Sequence, residues 1–263
     1  MSDQLMEKMV EEVMKKLGGA AEAAPAAPKA ATKGCNLTEF VGTADIGHTI
    51  GLVIANVDDQ LLEAMNVEKK YRSIGIIGAR TGAGPHIMAA DEAVKATNTE
   101  IIAIELPRDT EGGAGHGNLI IFGADDVSDV RRAVEVTLKE VESRTFGDVW
   151  ANDVGYMELQ YTARASFACN KAFGAPIGKA FGLIVGAPAA IGVVTADAAV
   201  KAANVEVLSY ASPASTSYTN EVILFITGDS GAVRQAVLTA KEVGTKLLAT
   251  MDKECQPLGN PYI

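Results

Sequence analysis

A glycine-rich turn between a strand and a helix is the first feature of this sequence that could carry chemistry. Residues 74–85 read Ile-Gly-Ile-Ile-Gly-Ala-Arg-Thr-Gly-Ala-Gly-Pro, and backbone N–H groups in such a setting can cradle phosphate. The spacing matches neither the G-x-G-x-x-G nor the Walker pattern. The matching turn at residues 186–192 has no charged or hydroxyl side chain. A nucleotide-binding enzyme that uses residues 78–84 therefore stays an alternative to the main interpretation below.

The three histidines do not form a recognisable catalytic or metal-binding pattern. His48 and His86 lie at the edges of predicted elements, with no acid or cysteine at ligand or triad spacing, so we expect structural roles for both. His116 lies in a loop so rich in glycine that it would hold a catalytic imidazole poorly. The histidines therefore predict no catalytic residue, and the expectation that the chain is no enzyme follows from the family resemblance described below.

The cysteines and the overall charge exclude further classes. Cys35, Cys169 and Cys255 are odd in number and far apart, which predicts neither a disulfide framework nor a zinc site, and we expect no metal and no cofactor. The net charge is −10 and no basic stripe is present, so nucleic acid is not an expected partner. The longest uncharged stretch, residues 180–196, is too short and too often broken by glycine and proline to cross a membrane. We therefore expect a cytoplasmic protein with no membrane partner.

An internal repeat shows which elements position these residues. Residues 90–100 read Ala-Asp-Glu-Ala-Val-Lys-Ala-Thr-Asn-Thr-Glu and recur at 196–206 with eight of eleven positions identical. The spacing D-x-x-x-V-R-x-A-V, which starts at Asp126, recurs from Asp229. The order of the two motifs is kept, so the chain contains two copies of one unit.

Each copy is predicted to contain the same α/β series of elements. A strand precedes the repeated helix, a second strand follows it, and a polar loop leads to a third strand and a helix opened by Asp126 or Asp229. A further strand lies upstream, at 39–44 and 158–163, where Thr-Ala is matched by Thr-Ala. We predict domains at residues 35–149 and 150–263, arranged around one axis in a closed assembly.

Two lysines and two loops differ from the surrounding apolar elements. Lys95 and Lys201 each stand three residues before an asparagine in the repeated motif, and a lysine whose stem lies along a neighbour can make a lateral contact. The loops at 107–117 and 211–220 are polar in both copies. They could border an opening that small polar molecules cross, or be ordinary surface loops.

The N-terminal 34 residues are predicted to form an amphipathic helix and a linker. Apolar residues recur every three or four positions over 5–17, and alanine with two prolines dominates 20–32. Such a helix either binds a partner or folds back on its own domain.

The repeated motif resembles the shell-protein domain of bacterial microcompartments, the BMC domain, in its circularly permuted tandem form. The stretches at 37–44, 71–75, 81–87, 106–110 and 160–164 are similar to the type found in propanediol-utilising compartments, which has a close relative in ethanol-utilising ones. The resemblance runs from about Cys35 to Ile263. It implies an α/β (α+β) chain of two tandem, ferredoxin-like BMC domains.

The resemblance also implies a function and a set of site residues. The family forms trimers of hexagonal outline that tile into a shell around enzymes, and small diols or alcohols cross that shell. By resemblance, Lys95, Asn98, Lys201 and Asn204 lie on the tile edge, where neighbouring shell proteins make lateral contacts. The pore-region loops carry Arg108, Asp109, Glu111, His116, Ser215, Thr216, Ser217 and Tyr218. The N-terminal helix resembles an extension that faces the enclosed enzymes.

Overall fold

The computed structural model describes residues 35–107, 116–145, 149–216, 218–251 and 256–257. Residues 36–263 form one compact unit, and the predicted N-terminal helix and linker lie outside the described residues.

The first repeat is a five-stranded antiparallel sheet with three helices. The strands are β1 (Phe40–Ala44), β2 (Thr49–Ile54), β3 (Ser73–Ala79), β4 (Glu100–Glu105) and β5 (Asn118–Ala124), in the spatial order β1-β2-β3-β5-β4. The helices are α1 (Asp59–Ala64), α2 (Ala83–Ala96) and α3 (Val127–Glu140), and a π-helical turn follows at Val141–Thr145.

The second repeat has the same plan. Its strands are β6 (Val149–Ala151), β7 (Tyr156–Thr162), β8 (Ala180–Ala187), β9 (Val205–Ala211), β10 (Val222–Gly228) and the short β11 (Gln256–Pro257), in the order β11-β6-β7-β8-β10-β9. Its helices are α4 (Phe167–Phe173), α5 (Ala189–Ala202) and α6 (Ser230–Leu248). Two antiparallel α+β units confirm the predicted fold class, while the predicted boundary at residue 150 stays a prediction.

Each sheet packs one face against its two long helices. In the first repeat, Ile77, Ile120 and Phe122 from the strands contact Ile87 of α2 and Val134 of α3 in one buried cluster. The second repeat builds the equivalent core from its own strands with α5 and α6. The stripe of apolar residues on each helix explains this layering, because that stripe must be buried against the sheet.

Glycine at one equivalent position in each sheet permits the close approach of a helix. A Cβ on Gly75 of β3 would lie 2.8 Å from the Val130 carbonyl oxygen, and one on Gly182 of β8 would lie 2.9 Å from Val237. Either contact would push the helix off the sheet. The two glycines therefore define equivalent positions in the two repeats.

One prediction about the repeat is wrong. We matched the strand at 39–44 with that at 158–163, but β1 lies at the sheet edge while β7 lies beside the central strand, as β2 does. Val53 of β2 pairs with Gly75, and Tyr161 of β7 pairs with Gly182, so β2 is the counterpart of β7. The shared Thr-Ala dipeptide misled the alignment, because a strand's place is set by its pairing partners.

Candidate functional site

The first candidate site is the junction at which the two repeats meet inside the chain. Helix α4 of the second repeat packs on α2 and β4 of the first. The Asp91 carboxylate of α2 is buried and accepts N–H bonds from Ser166 at 2.9 and 3.0 Å and from Cys169 at 3.0 Å. Asp91 thus caps the start of α4, where the Ser166 side chain makes no capping bond.

Lys95 belongs to this junction. Its Nζ lies 2.9 Å from the Asp91 carboxylate and 2.7 Å from that of Glu92. Burial is the largest single effect and lowers the Lys95 pKa, but the hydrogen bonds and charges of Glu92 and Asp91 together outweigh it, so the pKa is raised. A buried carboxylate needs such a partner, since an unpaired one would cost several kcal/mol. Lys95 therefore has a structural task that the sequence pattern did not indicate.

The corresponding residues of the second repeat are exposed. Lys201 Nζ lies 2.7 Å from Asp197 Oδ2, with 75% and 60% of the two side chains exposed. Asn98 and Asn204 are exposed just beyond the ends of α2 and α5. The two predicted edge lysines thus belong to separate helices and differ sharply in surroundings.

The second candidate site is a cavity of about 130 Å³ between the repeats. Its mostly apolar wall carries two carboxyl groups, Glu158 of β7 and Glu221 just before β10, with His116 nearby. Gly84 of α2 also lines it, and a Cβ there would collide with the Glu158 carboxyl group. Glycine at position 84 therefore makes room for the acid.

The two acids have different surroundings. Burial, followed by the charge of Glu221, raises the pKa of Glu158 to about 8, against a smaller opposing effect of the Gly84 N–H. Glu221 accepts hydrogen bonds from Tyr156 Oη and from Thr219 Oγ1, the latter at 3.1 Å. At neutral pH, Glu158 is mostly protonated and can both donate and accept a hydrogen bond. A small hydroxylic molecule in this cavity would find both kinds of partner.

The predicted pore loops are only partly described. His116 lines the cavity, and its carbonyl oxygen accepts the Ala83 N–H at 3.1 Å. Ser215 and Thr216 form a turn closed on the Ser212 carbonyl oxygen, and Tyr218 is 88% exposed. The predictions for Arg108, Asp109, Glu111 and Ser217 lie outside the described residues.

The glycine-rich turn does not offer its N–H groups to a phosphate. The Arg80 and Thr81 N–H groups donate to the Gly47 carbonyl oxygen, and the Ala83 N–H donates to His116. The Gly84 N–H faces the Glu158 carboxyl group. These N–H groups already have acceptors, and the adjoining acid would repel a phosphate. The turn therefore does not support the nucleotide-binding alternative.

His86 is a fully buried residue. Its Nε2 lies 2.6 Å from Thr49 Oγ1, and its Nδ1 contacts the Gly82 carbonyl oxygen. Burial lowers its pKa to about 4, so the imidazole is neutral at physiological pH. This is the structural role expected from the sequence.

Sequence reasoning missed Asp91, Glu158 and Glu221 as site residues. Asp91 had a signal, because the repeat preserves the acid at this position along with the lysine four residues later. Glu158 had a weaker one, the polar alternation Glu-x-Gln-x-Thr along β7. No sequence signal pointed to Glu221, because its role depends on Glu158, which lies 63 positions away in the chain.

The described part of the chain contains neither a membrane-spanning helix nor a metal-binding group of side chains. No helix there is long and apolar enough to cross a bilayer, and no group of three or more histidine, cysteine or acidic side chains is arranged to hold a metal ion.

Comparisons with known proteins agree in sequence and in structure. The BMC domain family matches residues 73–154 and 180–256. The bacterial microcompartment shell protein PduB of Citrobacter freundii is 70% identical over 225 residues, which cover 85% of this chain and 83% of that protein. A crystal structure of a trimeric PduB superposes with a TM-score of 0.82 at 54% identity, covering 86% of this chain and all of that one. EtuB from Clostridium kluyveri gives 0.81 at 51% identity, covering 87% of this chain and all of that one.

Proposed function

Since this chain belongs to the BMC-domain family of bacterial microcompartment shell proteins, we propose that it is a structural tile of such a shell. Three copies, each with two similar domains, form a homotrimer of hexagonal outline. The observation that carries this proposal is the likeness of both repeats to a trimeric PduB over 86% of the chain. A tile needs no catalysis, and we assign it no catalytic residue.

The compartment is proposed to handle 1,2-propanediol, glycerol or ethanol. The likeness to PduB supports 1,2-propanediol and glycerol, and the similar fit to EtuB keeps ethanol in the proposal. The N-terminal 34 residues are proposed to contact enclosed enzymes, because an amphipathic helix on a linker can bind a partner and this segment resembles the family's extension that faces the enclosed enzymes.

Small polar metabolites are proposed to cross through the tile. The cavity between the repeats supports this role, because it combines apolar walls with Glu158, Glu221 and the half-buried His116. Few but well-placed polar groups in an apolar cleft are typical of sites for small ligands. The loops with Ser215, Thr216, Tyr218 and the undescribed Arg108, Asp109, Glu111 and Ser217 are proposed to border the pore region.

Lateral contacts with other tiles are proposed to involve Lys95, Asn98, Lys201 and Asn204. Many weak edges suffice for a sheet, since each tile binds several neighbours at once. Lys95 is unsuitable for testing this, because it also neutralises the buried Asp91. Asn98 and Asn204 are exposed and end the same motif in the two repeats, so they allow a cleaner test.

We expect the double variant N98E/N204E to remain a folded trimer but to lose ordered sheets. The new carboxylates would face like charges across every edge, and repulsion repeated around each tile defeats assembly. Sedimentation reports the trimer, and electron microscopy of concentrated protein reports the sheets. N98Q/N204Q is the matched control. Sheets of normal order from the glutamate variant would refute the edge assignment.

A further inference from the structure

One face of α2 is attached to the second repeat at both of its ends. Gly84, Met88 and Asp91 lie on this face, at helical spacings of four and three residues. In the middle, Met88 is 3% exposed and its Sδ lies 3.3 Å from Cys169 Sγ. At one end, Asp91 caps the start of α4. At the other end, Gly84 meets the carboxyl group of Glu158, so the first turn of α2 is held to β7 through this acid.

Glu158 is enclosed by this contact. It is 4% exposed, and the Gly84 N–H donates a hydrogen bond to its carboxyl group. The residues that pair with it on the neighbouring strands, Val149 of β6 and Val185 of β8, are apolar. His86, on the same turn of α2 as Gly84, is bonded within the first repeat. A carboxyl group in such surroundings is more stable with its proton than without it.

Two other titratable side chains of the described chain line the cavity with Glu158. They are Glu221, just before β10, and His116, just before β5. Glu221 accepts hydrogen bonds on both of its carboxyl oxygens, one from Tyr156 Oη and one from Thr219 Oγ1. Acceptance on both oxygens is the bonding pattern of a carboxylate. The cavity therefore contains one acid placed to be charged and one placed to be neutral.

Loss of the Glu158 proton would change the balance at this contact. Two carboxylates in one apolar cavity repel each other, and each lacks the hydration that it would have in water. The Gly84 N–H, at the positive end of α2, offsets part of this cost. Burial and the charge of Glu221 have the larger effects, because together they raise the pKa of Glu158 to about 8. An ionised Glu158 is more stable in water, which reaches it when the first turn of α2 moves away from β7.

We propose that Glu158 is a proton-operated latch on the cavity between the repeats. With its proton, Glu158 holds the first turn of α2 on β7, and the cavity is closed. Without its proton, the turn lifts, and the cavity admits water and small neutral solutes. Asp91 and Lys95 keep the other end of α2 in place, so the opening is local. The latch rests on the proposed passage of small metabolites through this cavity and adds its regulation.

The pH range of the latch follows from proton linkage. In the open form Glu158 is hydrated and ionises near the ordinary value of 4.5, whereas in the closed form it keeps its proton up to about pH 8. The equilibrium constant for opening therefore rises with pH between these values, by up to about tenfold for each pH unit. At higher pH both forms are ionised, and the constant no longer changes.

A cysteine in the cavity wall measures the opening. Leu183 is 3% exposed, and its Cδ1 would lie 3.5 Å from a Cβ on Gly84. L183C should therefore react with the small neutral reagent iodoacetamide only when the latch opens. Mass spectrometry of the digested full-length protein reads the label at residue 183 separately from the native cysteines.

The matched variant is L183C/E158Q, whose side chain at 158 has no proton to lose. The ratio of the L183C labelling rate to that of L183C/E158Q should rise by up to about tenfold per pH unit between about pH 6 and 7.5. The ratio cancels the pH dependence of the thiol itself, because the thiol is the same in both variants.

Three further variants serve as controls. H116Q removes the other neutralisable side chain of the cavity wall and should leave the pH dependence unchanged. I77C lies in the core of the first repeat, so its label reports unfolding of the whole chain and should form much more slowly. V185C, on the same cavity wall, repeats the measurement where L183C does not fold.

The outcomes separate the latch from the proposed passage. A ratio that does not change with pH, loss of the pH dependence in H116Q, or equal labelling of I77C and L183C would each overturn the latch. Labelling with a constant ratio would leave the passage standing, because the cavity would be accessible without regulation. No labelling at residue 183 or 185 between about pH 6 and 9 would remove both the latch and passage through this cavity.

Discussion

At the residue scale, Glu158 shows how position changes the chemistry of a common side chain. It is buried beside a second acid, and its pKa rises from about 4.5 to about 8. Elsewhere in the chain, the exposed Glu242 pairs with Lys246, and its pKa falls below the ordinary value. The cavity therefore holds one acid in its neutral form at neutral pH.

This raised pKa predicts how stability depends on pH. The folded chain keeps the Glu158 proton up to about pH 8, while the unfolded chain releases it near 4.5, so unfolding becomes easier as pH rises between these values. Relative to E158Q, the wild-type free energy of unfolding should fall by up to about 1.4 kcal/mol for each pH unit. Urea unfolding between about pH 5.5 and 7.5 measures the difference.

The second acid supplies the control. Burial, the larger cause of the raised Glu158 pKa, remains in E221Q, but the variant removes the charge that adds to it. The fall in stability should therefore end at a somewhat lower pH than in the wild type. A difference between wild type and E158Q that does not change with pH would show that Glu158 ionises normally.

At the element scale, α4 depends on a residue of the other repeat. It is only seven residues long, too short to be stable alone. The Asp91 carboxylate of α2 accepts hydrogen bonds from two backbone N–H groups at the start of α4, those of Ser166 and Cys169. The carboxylate satisfies these two donors, and its negative charge interacts favourably with the positive N-terminal end of the helix dipole.

We expect D91N to destabilise the chain by about 2 to 3 kcal/mol, because an amide replaces the charged acceptor of buried N–H groups. Hydrogen exchange of the Ser166 and Cys169 amides should accelerate. E92Q, which removes another acid from the same lysine but touches no N–H of α4, should cost about 0.5 kcal/mol or less. Equal effects of the two variants would contradict the capping role.

The sequence predicted the elements that have a clear period and a clear motif. Strand β4 and the helices opened by Asp126 and Asp229 lie where expected. The sequence did not predict the short elements β2, β6, α1 and α4, because three to seven residues are too few to show a repeat of apolar positions. Their places follow from strand pairing and from packing between the repeats.

At the scale of the whole molecule, the junction between repeats could not be read from the sequence. Lys95 and Lys201 have the same sequence surroundings, yet Lys95 pairs with the buried Asp91 carboxylate and Lys201 pairs with the exposed Asp197. The difference arises because α4 of the second repeat covers α2 of the first, while on α5 the residues Val193 and Val194 are exposed within the described chain.

The mass and the assembly of the unmodified protein test the central claim most directly. We predict that sedimentation gives three copies per particle at moderate concentration, and that electron microscopy at high concentration shows sheets of hexagonal tiles. A chain that stays monomeric at every concentration, or a discrete oligomer that never forms sheets, would contradict the account of this protein as a shell tile.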